Sequence, residues 1–146
     1  MVAEGTDVLA HEVRIEARPE IVFEFLTDPD KMTQWKGDSA QLDARPGGVY
    51  RVQIGQAVVV GEFVELDPPR RVVFTWGWEG NDAVPPGSTT VEVTLTPDGE
   101  ATILRLVHRD LPEEQRAEHE GGWKHFLPRL AIAAVRDNRG SGPGAG

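Results

Sequence analysis

The chain contains no cysteine, a single tyrosine and only three lysines among its fifteen basic residues. The first absence excludes disulfides, thiolate nucleophiles and zinc-thiolate sites, and removes the usual clue to redox compartment. No apolar run approaches the ~20 residues of a membrane-spanning helix. The first ten residues join no basic cluster to an apolar stretch, so no secretion signal is expected and the protein is placed in the cytoplasm. Positive charge is also scarce. Twenty-four acidic residues give a net charge of −9, which repels phosphate backbones and anionic headgroups and argues against nucleic acid and against membrane insertion. Catalytic signatures are missing as well: there is no G-x-S-x-G elbow and no phosphate-cradling glycine loop. His119-Glu120-Gly121-Gly122-Trp123 fails the H-E-x-x-H zinc pattern, because Trp123 stands where the second histidine belongs. His119 and His125 fall on opposite sides of a helix and cannot share a metal. Neither metal nor cofactor is expected, and a binding protein is favoured over an enzyme.

What is present fits one domain of 146 residues, long enough to bury roughly 70% of its unfolded surface around one core. Residues 8–15 alternate and read as a strand. Pro19 suits the first turn of a helix, and Ile21, Val22, Phe23, Phe25 and Leu26 form its apolar stripe. Asp28-Pro29 ends that helix and starts a second short one that carries Met32 and Trp35, with Lys31 and Lys36 expected to face water. From residue 39 the period becomes two. Turns are expected at Arg45-Pro46-Gly47-Gly48, at Gly55-Gln56, at Asp67-Pro68-Pro69 and at Pro97-Asp98-Gly99. Strands are expected over 58–66, 71–78, 89–96 and 101–109, and the short connections make the sheet antiparallel. The longer stretch 79–88 reads as a mobile flap. Asp110 and Glu113 have the spacing of a capping box before a long helix that contains Gly121, Gly122 and Pro128. The two glycines are expected to allow close backbone contact or a kink. Residues 1–7 are expected to be flexible, 8–136 to form the domain, and 137–146 to be a disordered tail. The preference for arginine over lysine, with abundant Gly, Ala, Val and Pro, fits a high-GC bacterial genome.

Several segments occur together in a familiar order: Ala17-Arg18-Pro19-Glu20-Ile21-Val22-Phe23, Leu26-Thr27-Asp28-Pro29 with Trp35, Arg45-Pro46-Gly47-Gly48, Gly61-Glu62-Phe63-Val64-Glu65-Leu66-Asp67-Pro68-Pro69-Arg70, Phe74-Thr75-Trp76 and Gly122-Trp123. Over residues 8–136 this order resembles the Hsp90-ATPase-activator-homologue (AHSA1-like) branch of the START/Bet v1-like SRPBCC superfamily. The resemblance implies an α+β helix-grip fold. A curved antiparallel sheet of six to seven strands would wrap around a long C-terminal helix, with two short helices after the first strand closing one end. It also implies a range of activities: carriers of hydrophobic molecules, polyketide aromatase/cyclases, Hsp90 co-chaperone modules that bind a protein partner, and self-sacrifice proteins that give resistance to enediyne antibiotics.

Four tryptophans exceed what a core of this size needs, and an aromatic-lined cavity suits a flat or apolar ligand such as a polyketide or enediyne. Trp35, Trp76, Trp78 and Trp123 are the expected lining, joined by Phe63, Phe74, Leu106, His108, Phe126 and Leu127; the plainer reading is that they are ordinary core. His108 shares a strand face with Leu104 and Leu106 and is the one side chain with the chemistry of a cyclase base, against the reading of a histidine satisfied within the fold. In the self-sacrifice reading the candidate cleavage positions are Gly37, Gly61, Gly77, Gly121 and Gly122. The carboxylates are expected to be solvated surface, with no acid and base pair among them.

Overall fold

The computed structural model describes residues 8–140, with side chains to residue 137. Seven strands, β1 (Val8–Ile15), β2 (Ser39–Leu42), β3 (Val49–Ile54), β4 (Ala57–Asp67), β5 (Arg71–Trp76), β6 (Thr89–Asp98) and β7 (Ala101–Arg109), form one antiparallel sheet in the order β1-β7-β6-β5-β4-β3-β2. Helices α1 (Pro19–Thr27) and α2 (Pro29–Met32) follow β1, and α3 (Glu113–Gly140) ends the described chain. Among the described residues no helix is long and apolar enough to cross a membrane.

Local chemistry explains most of these elements. Pro19 opens α1, and the Asp28 carboxylate accepts the free N–H groups of Asp30 and Lys31 at 2.8 and 3.2 Å to start α2. Gly47 has φ +84°, the value that the second central place of a type II turn demands, and the Gly48 N–H closes that turn on the Arg45 carbonyl. Ile54 pairs with Ala57 across the two-residue Gly55-Gln56 loop, so the hairpin is tight. The register of β4 on β5 shifts between Phe63 and Glu65. Just before that bulge the sheet closes tightly on Gly61, where a Cβ would lie 1.9 Å from the Thr75 carbonyl oxygen and only glycine fits.

The long helix presents Trp123, Leu127, Leu130 and Ala134 on successive turns of one face, all buried against the sheet with Phe25, Phe63, Phe74 and Leu104. Each such large side chain contributes roughly 1.5–3 kcal/mol when fully buried. Tyr50 lies at the centre, stacked on Phe74 at 4.2 Å and edge-on to Phe63 at 5.5 Å. Near its end α3 is tied to the short helices, because Arg129 donates to the Trp35 carbonyl and Lys31 pairs with Asp137 at 3.1 Å.

Five local expectations are corrected. Asp110 is not a helix cap: its φ of 72° reverses the chain after β7, whereas a cap needs an extended backbone, and α3 begins only at Glu113. The segment 79–88 is anchored rather than a free flap. Val84 is buried, its carbonyl accepts from the Trp78 N–H, the Asn81 side chain accepts from Ala83 and Val84, and the Gly87 N–H donates to Val60. Nothing approaches the side-chain positions of Gly121 and Gly122 within 4 Å, so the first of their two expected roles, close backbone contact, is not met. Helix α3 runs through Pro128 to Gly140, into the expected tail, while residues 1–7 and 141–146 lie outside the described residues. Finally, neither Lys31 nor Lys36 is free in solvent; Lys31 bridges Glu24 and Asp137, and Lys36 is buried.

Candidate functional site

Where α3 passes the end of β5, a cavity of about 420 Å³ opens between them. That is the size range of small-molecule sites. Its deep wall is aromatic: Trp76 and Trp123 stand 5.1 Å apart, Trp78 meets Trp76 edge-on at 5.7 Å, and Phe126 continues the wall along α3. Its rim comes from three separate places, namely Gln56 and Ala57 at the β3–β4 hairpin, Glu79, Gly80 and Asn81 after Trp78, and Glu118 on α3.

Hydrogen bonds lock the wall. The Thr89 hydroxyl donates to the Trp76 carbonyl at 2.7 Å, so it must accept at its 2.9 Å contact with His108 Nε2, and the His108 proton therefore sits on Nε2. The remaining nitrogen, Nδ1, accepts from Trp123 Nε1 at 3.1 Å. His108 is fully buried, and its pKa is lowered to about 3, chiefly by desolvation and further by the nearby His119 and Lys36. A general base needs a free lone pair. His108 has none. His119 is held in the same way: Nδ1 donates to the Gln115 carbonyl at 2.8 Å and Nε2 accepts from Trp78 Nε1 at 2.9 Å. One donor is left over. The Nε1–H of Trp76 is buried and has no partner among the described residues.

Behind the Trp76 and Trp123 rings lies the feature that sequence reasoning missed. Lys36 is 2% exposed, and its Nζ sits 4.4 Å from the Trp76 ring centre, 5.0 Å from Trp123, 5.2 Å from Trp35 and 5.5 Å from Tyr50. Its Nζ donates to the Tyr50 hydroxyl at 2.8 Å. Burial pulls the ammonium down to about 7 and pushes the Tyr50 phenol up. The expectation of a solvent-facing Lys36 fails because its side chain runs inward among the rings of Trp35, Tyr50, Trp76 and Trp123. No sequence signal announces it, since Lys31 and Lys124, the other two lysines, sit in ordinary ion pairs.

The other sequence-nominated residues divide between cavity and core. Trp76, Trp78, Trp123, Phe126 and Gly122 line the cavity. Trp35, Phe74, Leu106 and Leu127, with Trp123 again, instead surround a void of about 10 Å³ next to Lys36, and the Trp35 N–H is satisfied by the Phe25 carbonyl at 2.9 Å. Phe63 packs on Tyr50 and Phe74. Side chains at Gly37, Gly61 and Gly77 would strike neighbouring atoms at 2.6, 1.9 and 1.8 Å, so those three glycines are explained by packing. Gly121 is exposed and does not line the cavity. Most acidic side chains are surface, except Glu92, which Arg71 and Arg109 clasp and whose carboxyl they hold below its ordinary value against the opposing effect of burial. Among the described residues no group of three side chains is placed to hold a metal.

Residues 16–134 match the family described as Activator of Hsp90 ATPase homolog 1-like protein. The chain belongs to that family. AHSA1-like proteins fall within the SRPBCC superfamily, and the seven-stranded sheet, long C-terminal helix and short helices after β1 are the Bet v1-like helix-grip arrangement. An AHSA1-like protein from Rhizobium etli is 40% identical with a TM-score of 0.69, over 90% of this chain and 84% of that one. DynU16, a protein of the dynemicin biosynthetic locus, is 29% identical with a TM-score of 0.77, over 90% of this chain and 48% of its own. CalU16 from Micromonospora echinospora is 28% identical with a TM-score of 0.73, over 89% and 77%. The curated Schizosaccharomyces pombe protein C1711.08 is 32% identical over 130 residues, which span 86% of this chain and 36% of that protein. This AHSA1-like chain therefore spans about a third of the yeast relative and about half of DynU16.

Proposed function

We propose that this domain binds a flat, largely aromatic small molecule between Trp76, Trp78, Trp123 and Phe126 and does not chemically transform it. The observation that carries this reading is a pre-formed aromatic wall in which the Trp78 and Trp123 N–H groups are already bonded within the protein. Such a wall offers stacking area to a flat ligand at little ordering cost. The cyclase alternative needs a base, and the one histidine nominated for it has both ring nitrogens occupied. Similarity to DynU16 supports the narrower version, sequestration of a bacterial natural product as a form of resistance.

Calorimetric titration with a panel of anthraquinone-like polyketides tests this, with Gly122→Leu as the control that fills the cavity. Nothing lies within 4 Å of the Gly122 side-chain position, and leucine is a better helix former than glycine by about 0.8 kcal/mol, so the variant is expected to fold. It should lose affinity by about tenfold or more, which corresponds to ~1.4 kcal/mol. Unchanged affinity in the variant, or no binding by any panel member, would refute the assignment.

A second reading, self-sacrifice, has one observation in its favour. Gly122 lines the cavity, and the Cα hydrogen that stands in place of a side chain faces open space. Denaturing mass spectrometry of the same protein after exposure to an activated enediyne separates the readings: an intact chain supports sequestration, and two fragments meeting at Gly122 support sacrifice.

A further inference from the structure

We infer that the ligand of this cavity is an acidic flat aromatic molecule bound as its anion, and that the buried Lys36 amine behind Trp76 and Trp123 supplies the opposite charge, taking up a proton from solvent as the ligand enters. This rests on the cavity being a ligand site, as proposed above.

Two indoles are shared between cavity and amine. Trp76 and Trp123 line the cavity, and the same rings stand 4.4 and 5.0 Å from Lys36 Nζ, with Trp35 and Tyr50 on its other sides. Lys36 is not part of the lining, so the two rings separate the amine from a bound ligand. The amine has no counter-charge of its own. It donates to the Tyr50 hydroxyl on β3 and pairs with no carboxylate among the described residues. His108 on β7, which feels its charge, is neutral and bonded at both nitrogens, as is the neighbouring His119, and Arg129 on α3 adds positive charge at the Trp35 carbonyl. A buried ammonium left in this state costs stability that an apolar side chain would not. Burial holds the amine at about 7, so at neutral pH it is partly protonated, and an anion across the rings raises that fraction. A ligand stacked on Trp76 at about 3.5–4 Å lies roughly 8 Å from Nζ. At an effective dielectric of about 20, opposite unit charges at that distance change affinity by about thirtyfold. The rim carboxylates Glu79 and Glu118 oppose this, but both are exposed and act through water, where the same separation counts for about a quarter of the energy. A cationic ligand would be repelled by the amine and would have to expel its proton.

Anthraquinone-2-carboxylate and its neutral isostere anthraquinone-2-carboxamide test the assignment, titrated calorimetrically into wild type and Lys36→Met. Wild type should bind the carboxylate about tenfold tighter at pH 7, and the preference should fall toward parity by about pH 9, as the free amine loses its proton. Titrations at pH 7 in two buffers of different ionisation enthalpy should show uptake of about half a proton with the carboxylate and none with the carboxamide. Lys36→Met keeps the volume of the side chain, and in it both the preference and the proton uptake should be lost. Equal affinities in wild type, a preference for the carboxamide, or a carboxylate preference without proton uptake overturns the acidic-ligand assignment and leaves the aromatic-cavity reading standing. A carboxylate preference that survives in Lys36→Met does the same. Failure of both probes to bind wild type overturns both.

Discussion

Lys36→Met should make the protein more stable at neutral pH and abolish a rise in stability that wild type shows between about pH 7 and pH 10.5. The lysine begins from an ordinary 10.5 and is held at about 7 by burial. Within that window the unfolded chain carries a proton on the amine that the folded chain lacks, so stability grows with pH, is complete above 10.5, and bears the full cost of the buried charge below about 7. At about 1.4 kcal/mol per pH unit the ceiling on this cost is roughly 5 kcal/mol. Two effects reduce the net gain. The ring faces around Nζ each return on the order of 0.5–2 kcal/mol to a desolvated cation, and the Tyr50 hydroxyl loses its partner at a cost of about 1–3 kcal/mol. Methionine is unbranched, fills the same space and makes its own contacts to aromatic rings. The expected result is a gain of about 2 kcal/mol at pH 7 with a flat alkaline limb, read from urea unfolding between pH 6 and 10.5. A variant less stable than wild type at pH 7, with the alkaline rise intact, would show that Lys36 is not the buried titrating group.

Beside His11 and Glu92, whose folded pKa values are also lowered, His108 contributes the largest shift to the acid limb. With a folded pKa of about 3 against 6.5, the folded chain refuses a proton that the unfolded chain accepts, so the stability this group contributes is complete above pH 6.5 and is lost as the pH falls toward 3. The loss reaches roughly 4–5 kcal/mol at the acid end. The cause is structural as well as electrostatic. A second ring proton would have to sit on Nδ1, where the Trp123 N–H already points, and so protonation breaks the bond that holds the cavity wall to β7. His108→Gln retains an amide acceptor and donor but not the imidazole geometry. It should lower stability at pH 7 by about 1–3 kcal/mol while flattening the dependence between pH 6.5 and 4, measured as urea midpoints across that range. Parallel acid slopes for wild type and variant would assign the limb to other groups.

The fold was legible in the sequence wherever the deciding chemistry is local. Pro19 at a helix start, Asp28 as a cap, the Arg45 to Gly48 turn and the Gly55-Gln56 hairpin each depend on a few adjacent residues, and each forms as expected. The order of turns and alternating strands then leaves few topologies, and the family motifs select among them. The Asp110 cap was misread because spacing alone does not report φ. The segment after Trp78 was misread because its anchor, buried Val84, is held by the edge of β4 through Gly87 and Val60 and by the backbone of Trp78.

The site was half legible. A surplus of tryptophan pointed to an aromatic wall, and Trp76, Trp78 and Trp123 do meet at one. Its rim was not foreseen, because Gln56, Glu79 and Glu118 lie in three unconnected stretches and each reads as ordinary polar surface until the sheet curls. Lys36 was missed for a related reason. Its neighbours in space, Tyr50, Trp76 and Trp123, come from β3, β5 and α3, and no periodicity in the short helix region announces that its side chain goes inward.

The central claim is that a ligand sits against Trp76, and the four indole N–H signals of a ¹H–¹⁵N correlation spectrum report on it directly, assigned with conservative Trp→Phe variants. On addition of an anthraquinone-like polyketide, the Trp76 signal should move, because its ring lines the cavity. Trp78 and Trp123 should shift through the stacked ring, and Trp35, bonded to the Phe25 carbonyl inside the core, should stay in place. Movement of Trp35 with Trp76 unmoved, or four unmoved signals at saturating probe, would contradict the account.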